Sequence, residues 1–194
     1  MKSIRIGMVL SSIVVLGFIV TACDANDPQS AKDTSSVKAE AVQDAAPAGE
    51  ASAWLAEFFG DKLLTADGSE VATKDLSGKT IGIYFSAHWC PPCQQFTPVL
   101  VKTYNELVSA GKPFDLVFVS SDQSEEKMFG YMTEVKMPWK ALPFSSDKKG
   151  VLGNKYGIRG IPTLVIIDKD GKTITKNGRG EVASKGAAAL DGWK

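Results

Sequence analysis

The sequence predicts an α/β domain, a central mixed β-sheet flanked by helices, and three observations carry that prediction. Two apolar runs rich in β-branched and aromatic residues, TIGIYFSA (80–87) and FDLVFVSSD (114–122), read as buried strands. Between them Phe96, Leu100, Tyr104, Leu107 and Val108 recur at helical spacing and Gly111 stops the helix, so the unit is a strand–helix–strand crossover. Further on, TLVIID (163–168) and TITKNG (173–178) flank KDGK, a hairpin signal with Asp-Gly at its tip. Strand, helix, strand, helix, hairpin and final helix give parallel strands with one antiparallel edge pair.

The other elements follow in chain order. From Trp54, AWLAEFFGDKLLTADG reads as a short amphipathic piece followed by a turn. Pro98 lies inside the crossover helix and is expected to kink it, because proline lacks the amide donor. QSEEKMFGYMTEV is helical, and KKGVLGNKYGI gives another short helix ended by Gly157. The tail EVASKGAAAL is weakly helical.

The N-terminal quarter has a different character. MKSIRIG carries two positive charges, MVLSSIVVLGFIV is a short apolar run, and TAC closes it with small residues. That is the pattern of a secretory signal, and the run is short for a bilayer span of about 20 residues. VTAC resembles a bacterial lipobox, in which the cysteine is diacylated and becomes the new N-terminus. Residues 1–22 are therefore expected to be a lipoprotein signal peptide and Cys23 the lipidated residue. Asp24 favours retention in the inner membrane over the outer. Residues 24–50 contain no aromatic residue and only two Val, too little apolar area to offset ordering entropy. With Cys23 they are expected to form a flexible tether (23–50), followed by the globular domain (51–194). The expected location is extracytoplasmic, lipid-anchored and facing the periplasm.

Composition narrows the function classes. The chain of 194 residues has 44% hydrophobic and 23% charged residues and zero formal net charge. Without the leader's Lys2 and Arg5, 20 basic residues stand against 22 acidic ones. Nothing in that balance suggests a nucleic-acid partner.

The chemistry concentrates in SAHWCPPCQQFTP (86–98), which holds Cys90, Cys93 and the single histidine, His88. A tetrahedral zinc needs about four ligands, and beyond this pair the cysteines and histidines offer only Cys23 and His88. Haem attachment needs a histidine directly after the second cysteine, where Gln94 stands. A purely structural disulfide closing so short a loop would constrain the unfolded chain little. A dithiol–disulfide redox couple is the reading the residues favour. Cys90 then precedes the first helical turn, whose unpaired N–H groups favour a thiolate, and Cys93 lies inside that turn. No metal or organic cofactor is implied.

YFSAHWCPPC resembles the active-site strand and loop of the thioredoxin superfamily. FTPVL, FDLVFVSSD, MPWKALPF and GIRGIPTLVIID extend the resemblance over residues 54–194, to its tryparedoxin and nucleoredoxin branch. It implies a thioredoxin-like fold, with Cys90 as the exposed attacking cysteine and Cys93 as the buried resolving one. Trp89 matches the tryptophan beside the site. Pro162 matches the superfamily's cis-proline, with Ile161 the neighbour whose backbone faces the substrate. Tyr84 occupies the place of the buried acid of thioredoxin proper. Trp139 is expected in the core and His88 on a solvent-facing loop. The implied activity is thiol–disulfide exchange with protein disulfides, as a reductase supplied with electrons by a membrane thiol reductase. Oxidase or isomerase action, and a non-catalytic lipid-anchored binding module on the same scaffold, are the alternatives.

Overall fold

The computed structural model describes residues 53–193; the expected signal peptide, the lipidation site at Cys23 and the tether lie outside them. The described chain opens with α1 (Ala53–Phe59), followed by β1 (Lys62–Leu64) and β2 (Glu70–Ala72). A short 3-10 turn leads to β3 (Thr80–Ser86), α2 (Pro91–Ser109) and β4 (Phe114–Ser120), the expected crossover unit. Then come α3 (Glu125–Glu134), β5 (Lys140–Ala141), α4 (Lys148–Tyr156), β6 (Thr163–Ile167), β7 (Thr173–Thr175) and α5 (Gly178–Lys185), with a closing 3-10 segment (Gly186–Gly192).

The seven strands form one sheet in the order β2-β1-β5-β4-β3-β6-β7. β3 and β4 pair in parallel from Thr80–Phe114 to Ser86–Ser120, and β4 pairs in parallel with β5. The remaining four pairings, β1–β2, β1–β5, β3–β6 and β6–β7, are antiparallel. The expected single antiparallel edge pair is thus corrected. The sheet has antiparallel pairs on both flanks, because residues read as a turn after α1 form a second hairpin. α2 also remains one helix through Pro98.

β3 and β4 carry helices on both faces, which explains their near-continuous apolar sequence. Side-chain alternation still sorts their residues. Ile81, Ile83 and Phe85 pack in one cluster with Leu55 and Phe58 of α1 and Leu152 of α4. Tyr84 packs in the other with Phe96 and Leu100 of α2, Tyr131 of α3 and the buried Trp139. Burying each such side chain contributes ~2 kcal/mol before ordering entropy is counted. A Cβ at Gly82, on this second face, would lie 2.2 Å from Leu116 Cδ2, so a larger residue there requires Leu116 to shift.

Two helix ends follow from local chemistry. The Ser124 hydroxyl accepts from Lys127 N–H and caps α3. Gly157 ends α4 in the left-handed conformation (φ 66°, ψ 43°). These elements bring four segments to one end of the central strands: the end of β3, the start of α2, the loop after β4 and the approach to β6.

Candidate active site

β3 ends at Ser86, and Ala87, His88 and Trp89 lead to Cys90, the N-cap of α2. Cys90 is extended (φ −95°, ψ 108°), and its carbonyl accepts from Cys93 N–H (2.9 Å) and Gln94 N–H (3.1 Å). Pro91 and Pro92 occupy the first helical positions, where an N–H would have no helical partner, so they stiffen the loop at no expense to the helix. Both cysteines are free thiols. The Cys90 S–H donates to the Ile161 carbonyl at 3.6 Å, and the Ile161–Pro162 peptide bond is cis.

Cys90 is less open than its expected role suggested, at 5% exposure, because its sulfur lies against the Ile161 carbonyl. Access comes from the surrounding rim, where Pro91 and Pro92 are exposed and Trp89 is 54% exposed. Cys93 is fully buried.

The loop that carries Cys90 is held from below. Trp89 Nε1–H donates to the Ser121 carbonyl (3.0 Å), and His88 N–H donates to Asp122 Oδ1 (2.8 Å). Ser120 Oγ–H donates to Asp122 Oδ2 (2.8 Å), and the Gln94 amide donates to the His88 carbonyl (2.6 Å). The His88 ring stacks on Tyr131 (5.1 Å between centroids), and its Nε2 lies 3.1 Å from Glu134 Oε2. His88 is therefore half-exposed, as the loop reading expected, and directed at α3.

Beneath Cys93 lies a layer of hydroxyls. Thr97 Oγ1–H donates to the Cys93 carbonyl (2.8 Å), with Tyr84 Oη at 2.7 Å and Tyr131 Oη at 2.5 Å from the same oxygen. Burial pushes the Cys93 thiol up to about 11, and Cys90 adds to the rise. Ser86 and the Ala87 N–H pull in the other direction. Burial likewise raises Tyr84 and Tyr131, so both phenols stay protonated.

The structure gathers Trp89, Cys90, Cys93, Ile161 and Pro162 around one point, while Cys23 lies outside the described residues. Sequence reasoning missed Ser86, Thr97, Asp122 and Tyr131 as members of the site. The available signal for Thr97 was its position four residues after Cys93, one helical turn away. Among the described residues no group of three or more His, Cys, Asp or Glu is placed to hold a metal ion.

The class that this fold and its relatives support is the thiol–disulfide oxidoreductase of thioredoxin type. Residues 78–173 match the thioredoxin-like family model. The chain is 43% identical to a thioredoxin of known structure from Wuchereria bancrofti, over 70% of this chain and 95% of that one, with a TM-score of 0.61. It is 36% identical to tryparedoxin I from Crithidia fasciculata, over 72% and 97% of the two chains, with a TM-score of 0.65. It is also 44% identical over 127 residues to the nucleoredoxin of Homo sapiens, covering 65% of this chain and 29% of that protein. The chain belongs to the thioredoxin-like family, with nucleoredoxins and tryparedoxins among its relatives, and spans about three tenths of the human nucleoredoxin it matches.

Proposed function

We propose that the protein reduces protein disulfides at the periplasmic face of a bacterial inner membrane, tethered there by lipidated Cys23 and working through Cys90 and Cys93. The observation that carries the redox part is the asymmetry of the two thiols. Cys90, 5% exposed, lies just behind the exposed rim of Trp89, Pro91 and Pro92 and faces the Ile161 carbonyl, while Cys93 has no exposure and its thiol is pushed up to about 11.

That asymmetry orders the chemistry. The Cys90 thiolate attacks one sulfur of a client disulfide; the client S–S bond breaks and its second sulfur leaves with the electron pair and takes up a proton. Cys93 then gives up its thiol proton and attacks Cys90 Sγ. The Cys90–client bond breaks, and the departing client sulfur takes a proton in turn. One client disulfide becomes two thiols, and the Cys90–Cys93 dithiol becomes a disulfide. Trp89 and the backbone of Ile161 beside Pro162 supply the surface on which the client lies. Restoring the dithiol in an oxidising compartment needs a thiol reductant delivered from the membrane. A lipid anchor keeps the two partners at high effective concentration.

Reduction of insulin by dithiothreitol tests the activity. The protein should accelerate it, and Cys90→Ser and Cys93→Ser should fall to the buffer rate; no acceleration by the wild type contradicts the reading. Equilibration with a thiol redox buffer tests the direction. A potential near about −270 mV supports a reductant and one near about −120 mV an oxidant. Palmitate labelling of the wild type, absent in Cys23→Ser, tests the anchor.

A further inference from the structure

The hydroxyls under Cys93 have a fixed proton arrangement. The Cys93 carbonyl can only accept, so the single proton of Thr97 Oγ1 goes to it. The two lone pairs left on that oxygen accept from Tyr84 Oη–H and Tyr131 Oη–H. Thr97 is then saturated, and both phenol protons are committed to it. Neither tyrosine has a proton left for the Cys93 sulfur.

Ser86 is the exception. It is fully buried, and its Oγ has no hydrogen-bond partner among the described residues. It stands two residues after Tyr84 on β3, on the same face of the sheet as Tyr84. That is the face on which Tyr84 meets Thr97 under Cys93, and the Ser86 hydroxyl opposes the rise that burial gives the Cys93 thiol. A buried hydroxyl without a partner costs free energy, and an anion formed beside it would accept its proton. The titratable groups facing this pocket are Cys90 from the start of α2, Tyr84 from β3 and Tyr131 from α3, with Asp122 acting on Tyr131 from the loop after β4. From β6 the same core receives the apolar Leu164.

We propose that Ser86 is the donor to the Cys93 sulfur during resolution: its hydroxyl turns its uncommitted proton onto Sγ as Cys93 ionises and attacks the mixed disulfide. This rests on the redox reading above and assigns the second half of it to a neutral donor. The Ser86 proton stays on its own oxygen throughout. The proton lost by Cys93 is balanced by the one the departing client sulfur takes up. Once Sγ is bonded to Cys90 the negative charge is gone, and the serine returns to its resting state.

The test follows a Cys90–client mixed disulfide in single turnover, for the wild type, Ser86→Ala and Ser86→Thr, across pH. A hydrogen bond to an ionised group is worth enough that Ser86→Ala should slow release at pH 7 by about ten-fold or more. Its pH–rate profile should move to higher pH, and formation of the mixed disulfide by Cys90 should be unchanged. Ser86→Thr, which keeps the hydroxyl, should recover most of the rate. Release from Ser86→Ala at the wild-type rate and pH dependence overturns the role of Ser86 and leaves the redox reading standing. Equal slowing in Ser86→Ala and Ser86→Thr, with no shift of the profile, overturns it as well by making the effect one of packing. A wild type that forms no mixed disulfide overturns both.

Discussion

The two ends of the β3–β4 pair treat a buried ionisable group in opposite ways. At the N-terminal end, Asp115 is buried at 2% exposure and meets two cations, Lys140 Nζ at 2.7 Å and Lys79 Nζ at 2.8 Å. Tyr104 Oη–H and Leu116 N–H also donate to it. Burial alone would raise the Asp115 carboxyl, but the hydrogen bonds and charges of Lys140 and Lys79 outweigh it and hold the group below its ordinary value. At the C-terminal end, Cys93 is buried among hydroxyls, and its thiol is pushed up. One end supplies a permanent counter-charge and keeps a permanent ion. The other withholds it and keeps a neutral thiol, which the proposed reaction would ionise. A group held charged and a group held neutral thus have different surroundings within one sheet.

Breaking the hydroxyl end should have the largest effect on stability. Thr97→Val keeps the shape but removes the oxygen that two buried phenols share. Leaving both donors unpaired should destabilise the fold by about 3 kcal/mol, read by urea unfolding. Breaking the ionic end should cost somewhat less. Asp115→Asn removes the charge facing Lys79 and Lys140, whose side chains are 34% and 21% exposed and regain hydration. The expected loss is about 2 kcal/mol, with insulin reduction unchanged because Asp115 lies at the far end of the strand from the thiols.

The pH dependence sharpens the same contrast. The folded state holds the Asp115 carboxyl below its ordinary 3.8, so its contribution is complete above that pH and is lost as the pH falls through the folded value. Asp115→Asn should therefore flatten the acid limb of a stability–pH curve and leave the neutral region parallel to the wild type. The smallest effect belongs to a helix cap that touches neither buried group. Ser124→Ala removes the cap that accepts from Lys127 N–H and should cost about 1 kcal/mol, with little change in redox activity.

Much of this arrangement was legible in the sequence. The long apolar runs of β3 and β4, the helical spacing of Phe96 through Leu107 and the Asp-Gly turn of the last hairpin are local signals that tertiary packing did not override. Cys90 and Cys93 were legible as a closely spaced pair between a strand and a helix, whereas Pro162 was placed by the family resemblance. The β1–β2 hairpin and β5 escaped notice because strands of two or three residues show too little alternation to be told from a turn. The pairing of Leu64 with Ala141 joins segments far apart in the chain. The hydroxyl layer escaped for a related reason. Thr97 in a helix reads only as a middling helix former until α3 packs Tyr131 against it, and Ser86 at a strand end reads as ordinary until its proton has nowhere to go. Nothing in the run FDLVFVSSD marks out Asp115 as an ion-pair centre, because Lys79 and Lys140 reach it only through folding.

The division of labour between the two thiols is tested most directly by trapping. The Cys93→Ser protein would be mixed with a disulfide-bonded client, the thiols blocked, and the adduct mapped by mass spectrometry after digestion. A stable client disulfide on Cys90, absent from Cys90→Ser and released in the wild type, is the predicted result. Adducts mapping to Cys93 in Cys90→Ser at comparable yield, or no adduct on Cys90 at all, would contradict it.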